Sequence, residues 1–406
     1  MSRRSSSHRS SSDRSSSDRR LDVAVVGGGV VGAACALALA KLGLDVALVE
    51  AREPPRWDAA RRDLRVYAFA PDNAALLDAL DAWKSIREAR AEPYRRMRVW
   101  DASGGGELAI DADALGRREL GWIVEHGLLV DRLWAALPAA GVEVLCPAKL
   151  ESLAQDAHGV RLGLDSGRML EARIAVAADG GDSALRALAG IPADAHDYRQ
   201  RGVVAYVETA SPHEGTAWQR FLPGGPLAFL PCGDGLSSIV WSLPEDEAAR
   251  VLALDDAAFD EALTDAFDAR LGATRVASKR AAFPLRRQLA QRQCEGRVLL
   301  AGDAAHVVHP LAGQGVNLGL RDVAALRASI ANAQSRRLAW DAPHRLQRWA
   351  RQRHSDNALA AHAFDAINRA YSSDALWPTL LRGHALGIAG RLPPVASALW
   401  RHASGL

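Results

Sequence analysis

The stretch from Leu21 to Glu50 limits what this chain can fold into more than any other. Leu21–Val26 (LDVAVV) is a short run rich in β-branched residues, as suits a parallel strand buried on both faces. Gly27, Gly28, Gly29, Val30, Val31 and Gly32 follow at once. Residues 33–42 are rich in Ala and Leu and predict a helix, closed by Gly43 as its C-cap. Residues 45–49 form a second apolar strand with Glu50 at its end, 18 positions after Gly32. The order is strand, G-x-G-x-x-G, helix, strand, acid. In that order Gly27 permits the tight turn, Gly29 lets a pyrophosphate approach the backbone at the helix N-terminus, and Gly32 lets helix and strand pack closely. Glu50 stands where a carboxylate accepts hydrogen bonds from ribose hydroxyls. The motif predicts a dinucleotide site and does not by itself distinguish FAD from NAD.

Two later segments favour the longer cofactor. Residues 173–179 (RIAVAAD) read as a strand ending at Asp179, followed by Gly180 and Gly181 and a short helix over 183–189. A hairpin over 159–172 precedes it, turning at Asp165-Ser166-Gly167. Residues 297–301 (RVLLA) read as another buried strand, ending in Gly302-Asp303-Ala304-Ala305-His306. The loop then runs through His309, Pro310, Gly313, Gln314 and Gly315 into a helix over 316–331. FAD needs anchors for adenine-ribose, pyrophosphate, ribityl chain and flavin ring, and the chain supplies that many loops.

The remainder sets bounds. At 406 residues the chain holds two or three structural units. Residues 1–20 form an Arg/Ser repeat with six Arg against Asp13 and Asp18; the rest carries 44 basic and 46 acidic side chains. The basicity therefore sits in the tail, the reverse of a protein with a nucleic-acid groove. With no apolar residue after Met1, that tail is expected to be a solvated extension and not a signal peptide. Cys35, Cys146, Cys232 and Cys294 are widely spaced, which argues against a disulfide framework and fits a reducing cytoplasm. His306 and His309 have H-x-x-H spacing without a third ligand, so no metal is expected. Residues 194–285 read as short strands with a helix over 257–271, whose Phe259, Leu263, Phe267 and Leu271 form an apolar stripe. Trp218, Phe221, Phe229 and Trp241 either line an apolar pocket or fill the sheet core. Residues 343–370 predict a long helix, and an amphipathic segment over 376–392 either packs on the cofactor domain or docks on a membrane or partner.

The string GDAAHVVHPLAGQGVNLGLRDV, together with GGGVVG, Glu50 and AADGGDSALR, resembles the single-component FAD-dependent aromatic hydroxylases, and more narrowly the ubiquinone-biosynthesis hydroxylases. The segments PYRRMRVWD, GWIVEHGLLVDRLW and GPLAFLPCGDGLSSIVWS carry the narrower resemblance, which covers residues 21 to 406. It implies an α/β (α+β) fold: a Rossmann-like FAD-binding domain over 21–190 and 285–342, an inserted β-sheet substrate domain over 191–284, and C-terminal helices over 343–406. It implies that Gly27, Gly29, Gly32 and Glu50 hold the ADP half of FAD and that Arg65 contacts the flavin. Asp179 would serve both FAD and the pyridine nucleotide. Gly302 and Asp303 would hold the ribityl chain, and Pro310, Gly313, Gln314, Gly315 and Asn317 would face the isoalloxazine. The chain departs from the family at Val130, where Gln is frequent, and at residues 68–73 (AFAPDN), where the family has small serines.

The implied activity is a monooxygenase reaction. NADPH or NADH reduces FAD, O2 adds at flavin C4a, and the resulting hydroperoxide hydroxylates a polyprenylated phenol of the ubiquinone pathway. The resemblance implies cytoplasmic placement, with peripheral contact at the inner membrane surface or with other ubiquinone-biosynthesis proteins as options. Two other classes share the fold: an FAD-dependent dehydrogenase or reductase, and a non-catalytic lipid-escort protein. The phenol-activating base, the choice between NADH and NADPH, the ring position and the oligomeric state are not legible in the residues.

Overall fold

The computed structural model describes residues 20–102, 106–308 and 315–372, with side chains to residue 363 in the last segment. Strand β1 (Leu21–Val26) runs into helix α1 (Val30–Ala40) and returns as β2 (Val46–Val49). Gly43, at φ 79°, closes the helix turn as expected. The chain then forms β3 (Val66–Phe69), α2 (Pro71–Ala79), α3 (Trp83–Arg90), β4 (Ala91–Tyr94), β5 (Arg96–Asp101), β6 (Glu107–Asp111), β7 (Gly121–Glu125) and α4 (His126–Ala136). Strands β8 (Glu143–Leu145), β9 (Leu150–Gln155), β10 (Val160–Leu164) and β11 (Met169–Ala177) lead to the short α5 (Ala184–Leu188). A mainly β stretch follows: β12 (Ala193–Thr209), β13 (Thr216–Leu222), β14 (Gly225–Pro231) and β15 (Ser237–Pro244), then α6 (Glu245–Ala253), α7 (Asp256–Ala266), β16 (Thr274–Val276) and β17 (Ala281–Ala290). Strands β18 (Cys294–Glu295), β19 (Val298–Leu300) and β20 (His306–Val307) precede α8 (Gly315–Ser335) and α9 (Pro343–Ser372).

These strands build three sheets. The first has β8-β2-β1-β11-β19 in parallel, with β18 antiparallel at one edge and the β9–β10 hairpin extending from β11. Its parallel core reads as unbroken apolar runs because α1 packs on one face and the β9–β10 hairpin with α5 on the other. The second sheet has the order β20-β17-β12-β15-β14-β13-β5-β6, with β16 beside β12. It is antiparallel except where β13 runs parallel to β5. Two of its strands, β5 and β6, come from residues 96–111, well before the 191–284 segment assigned from sequence. The third is a small sheet, β3-β7-β4, lying between the other two.

The second sheet has two distinct faces. Val203, Ala205, Val207, Leu227, Phe229, Ile239 and Trp241 pack under α6 and α7 together with the stripe Phe259, Leu263, Phe267 and Leu271. The opposite face, with Tyr206, Ala217, Ala228, Leu230 and Cys232, packs on Ala68 of β3 and Ile123 of β7. Trp218 and Trp241 therefore belong to the outer core, where Trp100 and Phe267 meet at 5.2 Å and Phe229 stacks on Phe267 at 3.8 Å. Phe221 lies on the other face, in a small cluster with Val99. Of the four aromatic pocket candidates, three are sheet core.

Candidate active site

The glycine-rich turn is shaped as its spacing predicts. Gly27 has φ 104°, and a Cβ there would lie 2.3 Å from the Ala178 carbonyl oxygen. A Cβ at Gly32 would lie 1.8 Å from the Gly27 carbonyl oxygen, so only glycine allows α1 to start this close to β1. Gly29 differs: it is the N-cap of α1, lacks a side-chain cap, and has nothing within 4 Å of its Cβ position. The α1 N-terminus thus presents backbone N–H groups and the positive dipole end to open space, which suits a pyrophosphate. At the tip of β2, Glu50 accepts hydrogen bonds from the Gly28 N–H (2.6 Å) and the Arg52 N–H (3.0 Å). A carboxylate has about four acceptor positions, which leaves room for ribose hydroxyls. Trp134 of α4 closes this corner, its indole N–H donating to the Gly28 carbonyl at 2.6 Å. The spacing of the glycines did not reveal Trp134; its place on α4 brings it there.

A second group lies where β19 ends. Gly302 has φ 60°, and its Cβ position and that of Gly319 on α8 both meet the Val31 side chain, at 3.0 and 2.6 Å. These contacts clamp the Gly302–Ala304 turn and α8 against the start of α1. Half-buried Asp303 makes no hydrogen bond among the described residues. An acceptor without a protein partner at this place fits a hydroxyl-bearing chain such as ribityl. Gly315 starts α8 with open space at its Cβ position. Pro310, Gly313 and Gln314, like His309 and the 376–392 segment, lie outside the described residues.

Other candidates have their side chains engaged. Asn317 is buried; its amide donates to the Ala68 carbonyl (2.8 Å) and its oxygen accepts from the Ala70 N–H (3.0 Å) and the Asn73 amide (2.9 Å). It therefore holds the 68–73 segment against α8. Asp179 accepts from Ser183 Oγ (2.5 Å) and the Leu185 N–H (3.1 Å), which organises the start of α5. Arg65 is exposed just before β3, its guanidinium 5.5 Å from the Tyr67 ring centroid.

Behind the loop lies a polar network that the motifs did not predict. Asp322 of α8 is fully buried and accepts from the Gly302 N–H (3.1 Å), Arg353 Nε (2.8 Å) and Asn357 Nδ2 (2.9 Å), with His306 Nε2 at 2.7 Å. Burial alone would raise this carboxyl; His306 and Arg353 outweigh it and hold Asp322 below the usual carboxylate range. His306, one of the two H-x-x-H histidines, is thus a member of this network.

A glycine-shaped phosphate corner, an acid at the end of β2 and a second acid at the end of β19, without a hydrogen-bond partner among the described residues, define a flavin-dependent oxidoreductase. Residues 20–355 match the FAD binding domain family, and the chain belongs to it. The ubiquinone hydroxylase UbiL of Rhodospirillum rubrum is 37% identical over 388 residues, covering 95% of this chain and 89% of that protein. The 3-demethoxyubiquinol 3-hydroxylase of Escherichia coli is 35% identical over 391 residues, covering 95% and 98%. Among solved structures, p-nitrophenol 4-monooxygenase from Pseudomonas putida superposes with a TM-score of 0.75 at 22% identity, covering 94% of this chain and 96% of that one, which shows the shared fold. The chain is an FAD-dependent monooxygenase.

Proposed function

We propose that the chain uses NADPH or NADH and O2 to hydroxylate the ring of a neutral, prenylated phenol in ubiquinone biosynthesis. FAD would lie with its pyrophosphate at Gly29, its adenine ribose at Glu50 and its ribityl chain at Asp303, its ring reaching the loop that leads into α8. Bound flavin supplies the oxygen chemistry. The protein binds and orients the phenol and keeps water away from the reacting ring.

The observation that carries the substrate class is where Arg220 goes. It is the only Lys or Arg from Gly202 to Trp241. Its guanidinium donates to the Ala266 carbonyl (3.0 Å) at the C-terminal end of α7, on the sheet face turned away from β3 and β7. The opposite face carries Ala217, Ala228, Leu230 and Tyr206, buried against Ala68 of β3 and Ile123 of β7. A substrate carboxylate would want an Arg or Lys for a charge-assisted pair, and that stretch supplies none to this face. The apolar stretch behind the site, with no cation turned toward it, favours a neutral ring with a hydrocarbon tail over a free acid. A prenyl tail is insoluble in water, so it would arrive from a membrane surface or a lipid-carrying partner; among the described residues no helix is long and apolar enough to cross a membrane.

The test is reduced-nicotinamide oxidation with a short-chain prenylphenol beside 4-hydroxybenzoate, with hydroxylated product quantified for both. Coupled hydroxylation of the prenylphenol is expected. Hydroxylation of the free acid alone overturns the substrate class, and peroxide release without oxygen insertion from either points to the dehydrogenase alternative.

A further inference from the structure

The departure at Val130 leaves a gap: an α4 side chain that in the family is often a polar Gln is here an apolar group, buried in the core of the FAD-binding part. One turn earlier on the same helix stands His126. Residues i and i+4 share a helix face, so His126 points to the side from which Val130 is silent.

The surroundings of His126 are built. Its Nδ1 lies 3.0 Å from the Tyr67 hydroxyl, and the two rings meet edge to face at 5.9 Å. The backbone on both sides is pinned. The His126 N–H donates to the Arg65 carbonyl at 2.8 Å. The Asp63 carboxylate accepts from the Arg65 N–H and the Gly127 N–H, each at 2.9 Å. His126 Nε2 has no hydrogen-bond partner among the described residues. Three charged side chains act on the pair: Arg65 and Asp63 on both rings, and Asp303, the acid assigned to the ribityl chain, on Tyr67.

We propose that His126, oriented by Tyr67, is a flavin-contacting hydrogen-bond donor that takes over the polar contact Val130 cannot make. Burial, reinforced by Arg65, lowers the imidazole to about 4, so it is neutral at pH 7. Burial raises the Tyr67 phenol, which therefore keeps its proton. With the phenol donating to Nδ1, the imidazole carries its own proton on Nε2. That N–H is a donor for an acceptor oxygen of the ribityl chain or the pyrimidine edge of the ring. Tyr67 is the positioning residue: it fixes the tautomer and the ring plane. The inference rests on the placement of the ribityl chain at Asp303 proposed above.

The experiment is FAD titration of the stripped full-length protein, followed by flavin fluorescence, with the visible spectrum of the reconstituted protein as a second readout. His126→Ala is expected to weaken FAD about tenfold, the size of one lost neutral hydrogen bond, and to shift the flavin bands. Tyr67→Phe should give a smaller loss with the same direction of shift. His126→Gln should recover most of the affinity. Adding Val130→Gln to His126→Ala should recover part of it, a rescue that a merely structural histidine would not show. Asp303→Ala separates the two readings. If it weakens FAD while His126→Ala leaves affinity and spectrum unchanged, the donor role is overturned and the placement stands. If Asp303→Ala leaves FAD binding unchanged, the placement falls and the inference falls with it.

Discussion

Glycines of one motif do different work, and the structure separates them. At Gly32 a Cβ would meet backbone at 1.8 Å, whereas at Gly29 it would meet nothing within 4 Å, with φ at −67°. Gly32→Ala must move β1 or α1, and a backbone clash of this kind costs several kcal/mol. Gly29→Val touches nothing in the protein but fills the space above the free N–H groups of α1. The expected outcome is a split: Gly32→Ala lowers the melting temperature of FAD-free protein, while Gly29→Val leaves it unchanged within about 1 kcal/mol and loses FAD affinity. Circular dichroism melts of stripped protein beside FAD titration check it; equal destabilisation by both would show that Gly29 is a packing residue. The spacing of the motif foretold the tight packing at Gly32 and the open backbone at Gly29, because each follows from backbone geometry within one turn. Tyr67 and His126 lie 59 positions apart, and no local pattern couples them, so their pairing was visible only once β3 and β7 lay side by side.

At the level of elements, legibility followed the range of the contacts. The β1–α1–β2 unit and the β10–β11 hairpin with Gly167 at φ 79° are set by residues close in sequence and formed where the pattern placed them, whereas α7 stops at Ala266, short of the expected 271, because Asp268 and Ala269 turn at positive φ; Phe267 and Leu271 still join the same cluster from beyond the helix end. The faces of the second sheet were not legible. All seven residues of β14 are buried, so hydrophobic alternation carries no information about which side meets the cofactor. The joining of β5 to β13 likewise depends on a parallel pairing across more than a hundred residues, which no turn signal announces. The link between α8, α9 and the Gly302 turn is of the same kind, since Asp322 meets partners from three segments. Removing its carboxylate leaves Arg353 Nε and His306 Nε2 buried without that acceptor, although Arg353 keeps Asp356 and Asn357, and breaking such a buried pair costs about 3–5 kcal/mol. Asp322→Ala should therefore destabilise strongly. Because the folded carboxyl sits below its ordinary value of 3.8, its contribution is complete above that value and is lost as pH falls through the folded pKa. Asp322→Asn, with no charge to titrate, should lose that part of the acid-side slope; urea melts between pH 3 and pH 7 read it, and an unchanged slope would mean the network does not depend on the charge.

On the scale of the whole molecule, the question is whether the FAD-binding part and the second sheet behave as separate domains. A chain of 406 residues with an inserted sheet would ordinarily unfold in more than one step. Several features oppose that here. One apolar cluster draws Ala68, Tyr94 and Ile123 from the small sheet and Tyr206, Ala217, Ala228 and Leu230 from the large one. The Tyr206 hydroxyl donates to the Asp63 carbonyl at 2.8 Å, and Arg62 of the same loop reaches the Gly233 carbonyl at 3.0 Å. Helix α9 packs on α8, then on β18, and then on β13 and β14 of the second sheet. The chain itself crosses between the two sheets at β5, β12 and β17. Flavin held at the Gly302 turn, as proposed, would lie against α8, which α9 ties to the second sheet, so its binding energy should be felt by both parts. Calorimetry of the stripped protein is expected to give a single transition that moves upward as one when FAD is added. The size of the move is set by mass action, about 2.7 kcal/mol at a hundredfold excess over the dissociation constant. Two transitions, with only one of them responding to FAD, would mean that the Tyr206–Asp63 contact and the shared cluster do not couple the two parts. With a single transition in the parent protein, Tyr206→Phe, which deletes only the hydroxyl and its bond to the Asp63 carbonyl, is the variant expected to split the peak into two.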